Sequence, residues 1–244
     1  MRRREPRSRG PLERQARAVL MDAGRLLGRL ERFAAREVAA AAEAAIACLE
    51  AGGTIYFCGN GGSAADAQHL ACELAGRYLM DRPALAAVAL TTNTSSLTAI
   101  GNDYEFDQVF SRQLEGVAVP GDLLVALTTS GRSPNVLRAI QAARRLGMTV
   151  IGFTGLKGKG FARRCDVALV TPSLSTPRVQ EGHIAMGHAL CELIEHAMFS
   201  RRRRGARTRA RPVRVASPPS RGASLSDGPP PPPRGARRRS KRRP

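Results

Sequence analysis

Apolar positions in the first fifty residues recur at helical spacing. Leu20, Leu26, Leu27, Leu30 and Phe33 fall on successive turns of a helix that begins at about residue 17. The alanine-rich stretch EVAAAAEAAIACLEAGG continues as a second helix, and Gly52–Gly53 stop it. The period then changes. Thr54–Asn60 (TIYFCGN), Ala84–Thr92 (ALAAVALTT), Asp122–Gly131 (DLLVALTTSG), Thr149–Gly155 (TVIGFTG) and Asp166–Pro172 (DVALVTP) are short, continuous apolar runs. They predict five strands. Between and after them, Ala64–Tyr78, Pro134–Leu146 and Val179–Phe199 predict helices.

Strands that alternate with helices and are apolar on both faces belong to a parallel sheet covered on both sides. The expected fold is a three-layer, doubly wound α/β domain of about five parallel strands. Its ligands bind beyond the carboxyl ends of the strands. The loops after Cys58, Leu90, Leu127 and Val170 are therefore the ones to inspect.

Composition sharpens the boundaries. Apolar residues make up 43% of the 244, and tryptophan is absent, so the core rests on Ala, Leu, Val and Ile. The net charge of +19 suggests a nucleic-acid binder until it is located. Residues 201–244 hold 16 basic residues and one acid, and residues 1–16 hold six Arg and two Glu. Residues 17–200 carry 17 of each sign. The body is neutral, so only the tail could meet nucleic acid or an anionic surface, and a simply solvated end is the alternative. The Arg/Pro-rich segment 201–244 buries too little apolar surface to order itself, and 1–16 reads as a second basic, disordered end. The five cysteines make no CxxC pair and sit among apolar residues, which suits reduced thiols in the cytoplasm. No apolar run is long enough to span a membrane, and charges interrupt any cleavable leader.

Four stretches carry candidate chemistry. Gly59-Asn60-Gly61-Gly62-Ser63 follows a strand and opens a helix, as an anion-binding turn does. Thr128–Asn135 (TTSGRSPN) is a second loop of this kind, in which the hydroxyls of Thr128, Thr129, Ser130 and Ser133 can wrap a phosphate without a lysine. Either loop alone could be a plain turn or cap; two at neighbouring strand ends point to a ligand. His69 and Glu73 share one helical face and suit either a metal or an acid–base pair. In TPRVQEGHIAMGHALCELIEH, Gln180 and His188 lie two turns apart among the small residues Ala185, Gly187 and Ala189, which let another backbone come close.

Taken together, FCGNGGSAADAQHLACELAGRY, LTTNTSSLTAIGNDYEFDQVF, TTSGRSPNVLRAI and TPRVQEGHIAMGHALCELIE resemble the sugar isomerase (SIS) fold. More narrowly, they resemble the phosphoheptose isomerase family over about residues 20–200. The resemblance implies a flavodoxin-like sheet and interconversion of D-sedoheptulose 7-phosphate with D-glycero-D-manno-heptose 7-phosphate, the first step toward activated heptoses. It assigns Glu73 as base and His188 as partner acid/base. It assigns one zinc per site to His69, Glu73, Gln180 and His188. The phosphate would rest on Thr128, Thr129, Ser130 and Ser133. Asn60, Gly61, Gly62, Ser63, Arg77, Asn93 and Gln180 would contact the sugar. The family is homotetrameric, with sites between subunits. Asn93 and Pro177 stand where some relatives carry acidic residues, and Thr128 stands where serine is familiar. Isomerases of other phosphosugars share the fold, as does a non-catalytic relative that binds the replication initiator. The latter lacks the equivalents of Glu73 and His188, which this chain keeps.

Overall fold

The computed structural model describes residues 10–207. Its body is a five-stranded, wholly parallel sheet in the order β2-β1-β3-β4-β5. The strands are β1 (Ile55–Cys58), β2 (Ala87–Ala89), β3 (Leu123–Leu127), β4 (Thr149–Gly155) and β5 (Val167–Thr171). The doubly wound α/β fold expected from the continuous apolar runs is thus present.

Strand alternation sends side chains into two cores. Ile55 and Phe57 of β1, with Leu123, Val125 and Leu127 of β3, meet α1 (Pro11–Glu50), α2 (Gly62–Ala75) and α7 (Thr176–Arg207) on one face. Tyr56, Cys58, Leu124 and Ala126 meet α4 (Ser111–Val117) and α5 (Pro134–Arg145) on the other. A short helix, α6 (Lys159–Ala162), adds Phe161 to that second core.

Several expectations need correction. The two N-terminal helices are one, because Ala34-Ala35-Arg36-Glu37 are strong helix formers with no breaker among them. This helix starts at Pro11, with proline in its first turn and Glu13 near its positive end, so residues 11–16 are helical rather than disordered. Leu26 and Leu30 are buried as the spacing suggests, whereas Leu20, Leu27 and Phe33 are exposed. The span 94–117, left without elements in the sequence reading, holds α3 (Thr94–Asp103), one 3-10 turn at Phe106–Gln108, and α4. The edge strand β2 is much shorter than Ala84–Thr92. The last helix continues to Arg207, past the expected end at Phe199 and into the expected tail. The disorder and nucleic-acid expectations for the rest of 201–244, and those for residues 1–9, fall outside the described residues. Among the described residues no helix is long and apolar enough to cross a membrane.

Candidate active site

The strand order places β1 beside β3, yet the helices that follow them go to opposite faces: α2 to one core and α5 to the other. Such a switch point leaves a crevice at the carboxyl ends of the two strands. Both loops singled out in the sequence open onto it. A cavity of about 330 Å³ there is lined by Asn60, Gly61, Gly62, Ser63, Thr128, Thr129, Ser133 and Gln180, together with Leu127 and Thr176.

Backbone geometry shapes this end. Gly61 takes φ +55° and itself caps α2, so Ser63 is a buried residue of the first turn and not the cap. A Cβ on Gly62 would run into the Gln180 side-chain amide, so glycine leaves room for that side chain at the start of α2. In the second loop, Thr128 Oγ1 accepts from the N–H of Gly131 (3.2 Å) and lies 3.1 Å from Ser133 Oγ. Ser130 Oγ accepts from the Arg132 N–H at 3.3 Å within the same turn, and Ser130 is not among the lining residues. Asn60 and Asn135 latch the loops together, each amide donating to the other's oxygen at 2.8 Å.

About two helical turns along the α2–α7 seam lies a second cluster. His69 Nε2 is 2.8 Å from His188 Nε2 and 3.4 Å from Glu73 Oε1. The two imidazoles meet edge to face at 5.0 Å, and the Tyr78 ring lies 5.7 Å from His188. His69 and Glu73 remain partly open to solvent. Side chains from two helices thus present two imidazole nitrogens and one carboxylate oxygen around one point.

The structure separates other expected partners. Gln180 belongs to the loop cavity, eight residues and roughly 12 Å of helix from His188. Arg77 lies beyond the α2 cap at Gly76, in an exposed stretch. Asn93 caps α3, its side chain accepting from the Ser96 N–H at 3.0 Å.

Among the described residues, no group of three or more His, Cys, Asp and Glu is placed to hold a metal ion. The donor chemistry at His69, His188 and Glu73 nevertheless suits zinc, which binds imidazole and carboxylate together.

Four residues outside the sequence-derived set also belong here. Asn135 and Tyr78 lie inside the quoted motifs, but only their partners, Asn60 and His188, reveal their parts. Thr176 lines the cavity from the first turn of α7. Asp66, one turn before His69, keeps Oδ2 buried without a partner; burial pushes its carboxyl up, opposed by His69.

The fold and this crevice define a doubly wound α/β domain with a hydroxyl-lined cavity at its switch point and an imidazole–carboxylate cluster beside it. A family model for the SIS domain matches residues 20–155. The phosphoheptose isomerase of Rhodospirillum rubrum is 59% identical over 163 residues, 67% of this chain and 87% of that protein. That of a Bradyrhizobium species is 51% identical over 193 residues, 79% of this chain and 91% of the relative. The solved phosphoheptose isomerase from Neisseria gonorrhoeae matches with a TM-score of 0.71 and 45% identity, over 75% of this chain and 98% of its own. The chain belongs to the SIS domain family and, within it, to the phosphoheptose isomerases.

Proposed function

We propose that the protein interconverts D-sedoheptulose 7-phosphate and D-glycero-D-manno-heptose 7-phosphate by proton transfer between C1 and C2. One observation carries this reading: an imidazole–carboxylate cluster and a hydroxyl-lined cavity lie along one helix seam, about two turns apart. That span suits an extended seven-carbon sugar with phosphate at one end and the reacting carbons at the other.

Each end has a role fixed by its chemistry. At the loop end, the hydroxyls of Ser63, Thr128, Thr129 and Ser133 bind the phosphate at the positive ends of α2 and α5. Asn60 and Gln180 orient the sugar chain above it, and Ser130 supports the turn. At the other end, the Glu73 carboxylate removes the proton from C1 of the ketose, and the electron pair moves to make the enediol. His188 donates a proton to the C2 oxygen. Collapse in the aldose direction returns the Glu73 proton to C2 while His188 recovers a proton from the C1 hydroxyl. Arg77, just past α2, and Asn93, at the start of α3, complete the set of sugar contacts in this reading.

The residues that would hold zinc are His69, Glu73, His188 and Gln180, and the chemistry it would supply is polarisation of the substrate carbonyl. The distance of Gln180 from His188 within one chain supports a site shared between subunits. So does the surface of α1 and α7, where Leu27, Leu30, Ala34, Met186 and Leu193 line an apolar groove of about 590 Å³. In this reading four copies assemble in the cytoplasm, and the apolar groove supports burial of that face between copies.

The test is turnover of sedoheptulose 7-phosphate by the purified protein, with and without added zinc, beside Glu73→Gln and His188→Gln. Conversion to an aldoheptose phosphate that both substitutions abolish is expected. A folded, zinc-loaded wild type that leaves this substrate untouched but isomerises another phosphosugar would replace the substrate assignment. Inertness toward every phosphosugar would overturn the enzymatic reading.

A further inference from the structure

Cross-seam pairs keep α2 and α7 in step: Gly62 meets Gln180, His69 meets His188, and Leu70 packs on Gly187. Beyond His188 the seam is closed by a buried ion pair. Glu195 of α7 is 1% exposed and accepts from the N–H groups of Tyr78 (3.0 Å), Leu79 (2.7 Å) and Met80 (2.8 Å). It also accepts from Arg82 Nε at 2.8 Å. Burial pushes its carboxyl up, but these four donors win and hold it below the ordinary glutamate value.

Arg82 spends its remaining donors on the end of α2. Nη2 donates to the carbonyl of Glu73 (2.8 Å), and Nη1 to those of Leu74 (2.9 Å), Gly76 (3.4 Å) and Pro83 (3.0 Å). The Phe199 ring covers the guanidinium at 5.6 Å. One ion pair therefore grips the backbone of Glu73, the backbone of Tyr78 and the helix that carries His188. The Tyr78 ring, whose backbone is pinned this way, lies against His188.

We propose that Arg82 and Glu195 are positioning residues of the isomerase: their clamp fixes Glu73 and His188 relative to each other. The proposal rests on the acid–base assignment above. A buried pair could serve stability alone, since removing one partner of such a pair commonly costs several kcal/mol. A stability role, however, would leave a folded variant fully active. A positioning role would not, because small misplacements of reacting groups lower rate steeply.

The experiment uses the full-length protein with Arg82→Lys, Glu195→Gln and Tyr78→Leu. The last leaves the ion pair intact and removes only the ring against His188. Each variant is checked for a cooperative melting transition, assayed with sedoheptulose 7-phosphate, and examined by ¹H–¹⁵N spectra of the histidine rings. For folded variants we expect kcat to fall about tenfold with KM changed less than twofold, and the His69 and His188 signals to move together. Unchanged kcat, an equal loss in kcat and KM, or unmoved histidine signals would overturn the proposal. The ring spectra need no substrate. If the wild type fails to turn over this sugar, they still judge the clamp while the activity reading fails separately. If these two ion-pair variants do not fold, the paired variant Arg82→Gln with Glu195→Gln, which leaves no buried charge unpaired, decides the matter by the same criteria.

Discussion

At the loop end of the α2–α7 seam, position is set by backbone: a glycine at φ +55°, another at φ +69°, and hydroxyls already bonded within their turn. At the other end it is set by side chains that two separate helices deliver to one point. At the loop end Ser63, Thr128 and Asn135 are buried and the Asn60–Asn135 pair latches the turns, whereas the His69 side chain is 44% exposed. An anchor can be rigid because a phosphate has one shape. A proton-transfer cluster must admit a substrate and shed a product. The contrast makes the two ends separable in experiment: changes at one should register in KM, changes at the other in kcat.

The largest effect expected is at the side-chain end. Glu73→Gln keeps shape and removes the base, so kcat should fall by about 10³-fold, within the range for general acid–base catalysis. Phosphosugar binding, read by calorimetry on the inert variant, should stay within a few-fold of wild type. Equal losses in both would show that the ends are not separate.

A perturbation between the ends should strike both. His183 is fully buried on α7 between Gln180 and His188, its ring edge to face with Phe153 and only the Thr154 backbone near enough to favour its protonated form. Burial pushes the imidazole down to about 4. As pH falls below about 6.5 the unfolded chain takes up this proton and the folded chain does not, so stability declines until the folded group titrates too. Above that window His183 contributes no pH dependence. The loss on reaching pH 4 is on the order of 3 kcal/mol from this group. Depression of the Glu195 carboxyl adds a loss of the same sign at lower pH, as that carboxylate is protonated. Urea midpoints at pH 7, 6 and 5 should fall in that order, and His183→Leu should flatten the trend. A flat wild-type profile would show that His183 finds a partner in solution.

The same division explains what the sequence disclosed. Parallel strands, both loops and the His69–Glu73 face are local patterns, readable because each is one short segment with one period. Asn135, Tyr78 and Arg82 escaped because their roles exist only across the seam or the crevice, with partners 75, 110 and 113 residues away. Arg77 was misplaced for a local reason. Gly76 ends α2 at Ala75, three residues before Tyr78, where the pattern predicts the helix to stop, so Arg77 lies past the helix and not within it. The span 94–117 hid its helices behind Asn93, a cap whose bond to the Ser96 N–H was written in TTNTSS but read as sugar chemistry.

At the backbone end, Gly59→Ala should be the stronger of two probes. Its Cβ would come within 2.6 Å of the Ser63 carbonyl oxygen, a backbone atom that cannot swing aside. KM should rise by tens of fold while kcat in the folded protein holds within about threefold, as expected when ground-state and transition-state binding are lost together. A drop in kcat alone would instead tie this loop to the chemistry.

The smallest effect belongs to the latch. Asn135 is 2% exposed, and its Oδ1 accepts both from Asn60 and from the N–H of Val136 at 2.9 Å. Asn135→Ala would strand the Asn60 amide and lower stability by about 1–2 kcal/mol, the usual penalty for an orphaned buried polar group. Because the loops flank the phosphate and not the reacting carbons, KM should rise only a few-fold and kcat should stay constant. Asn60→Ala with Asn135→Ala then completes a double-mutant cycle. The double variant should cost little more than either single, since each alone already breaks both hydrogen bonds. Strict additivity would mean that the two amides act independently, and that the loops reach their spacing through packing of the sheet alone.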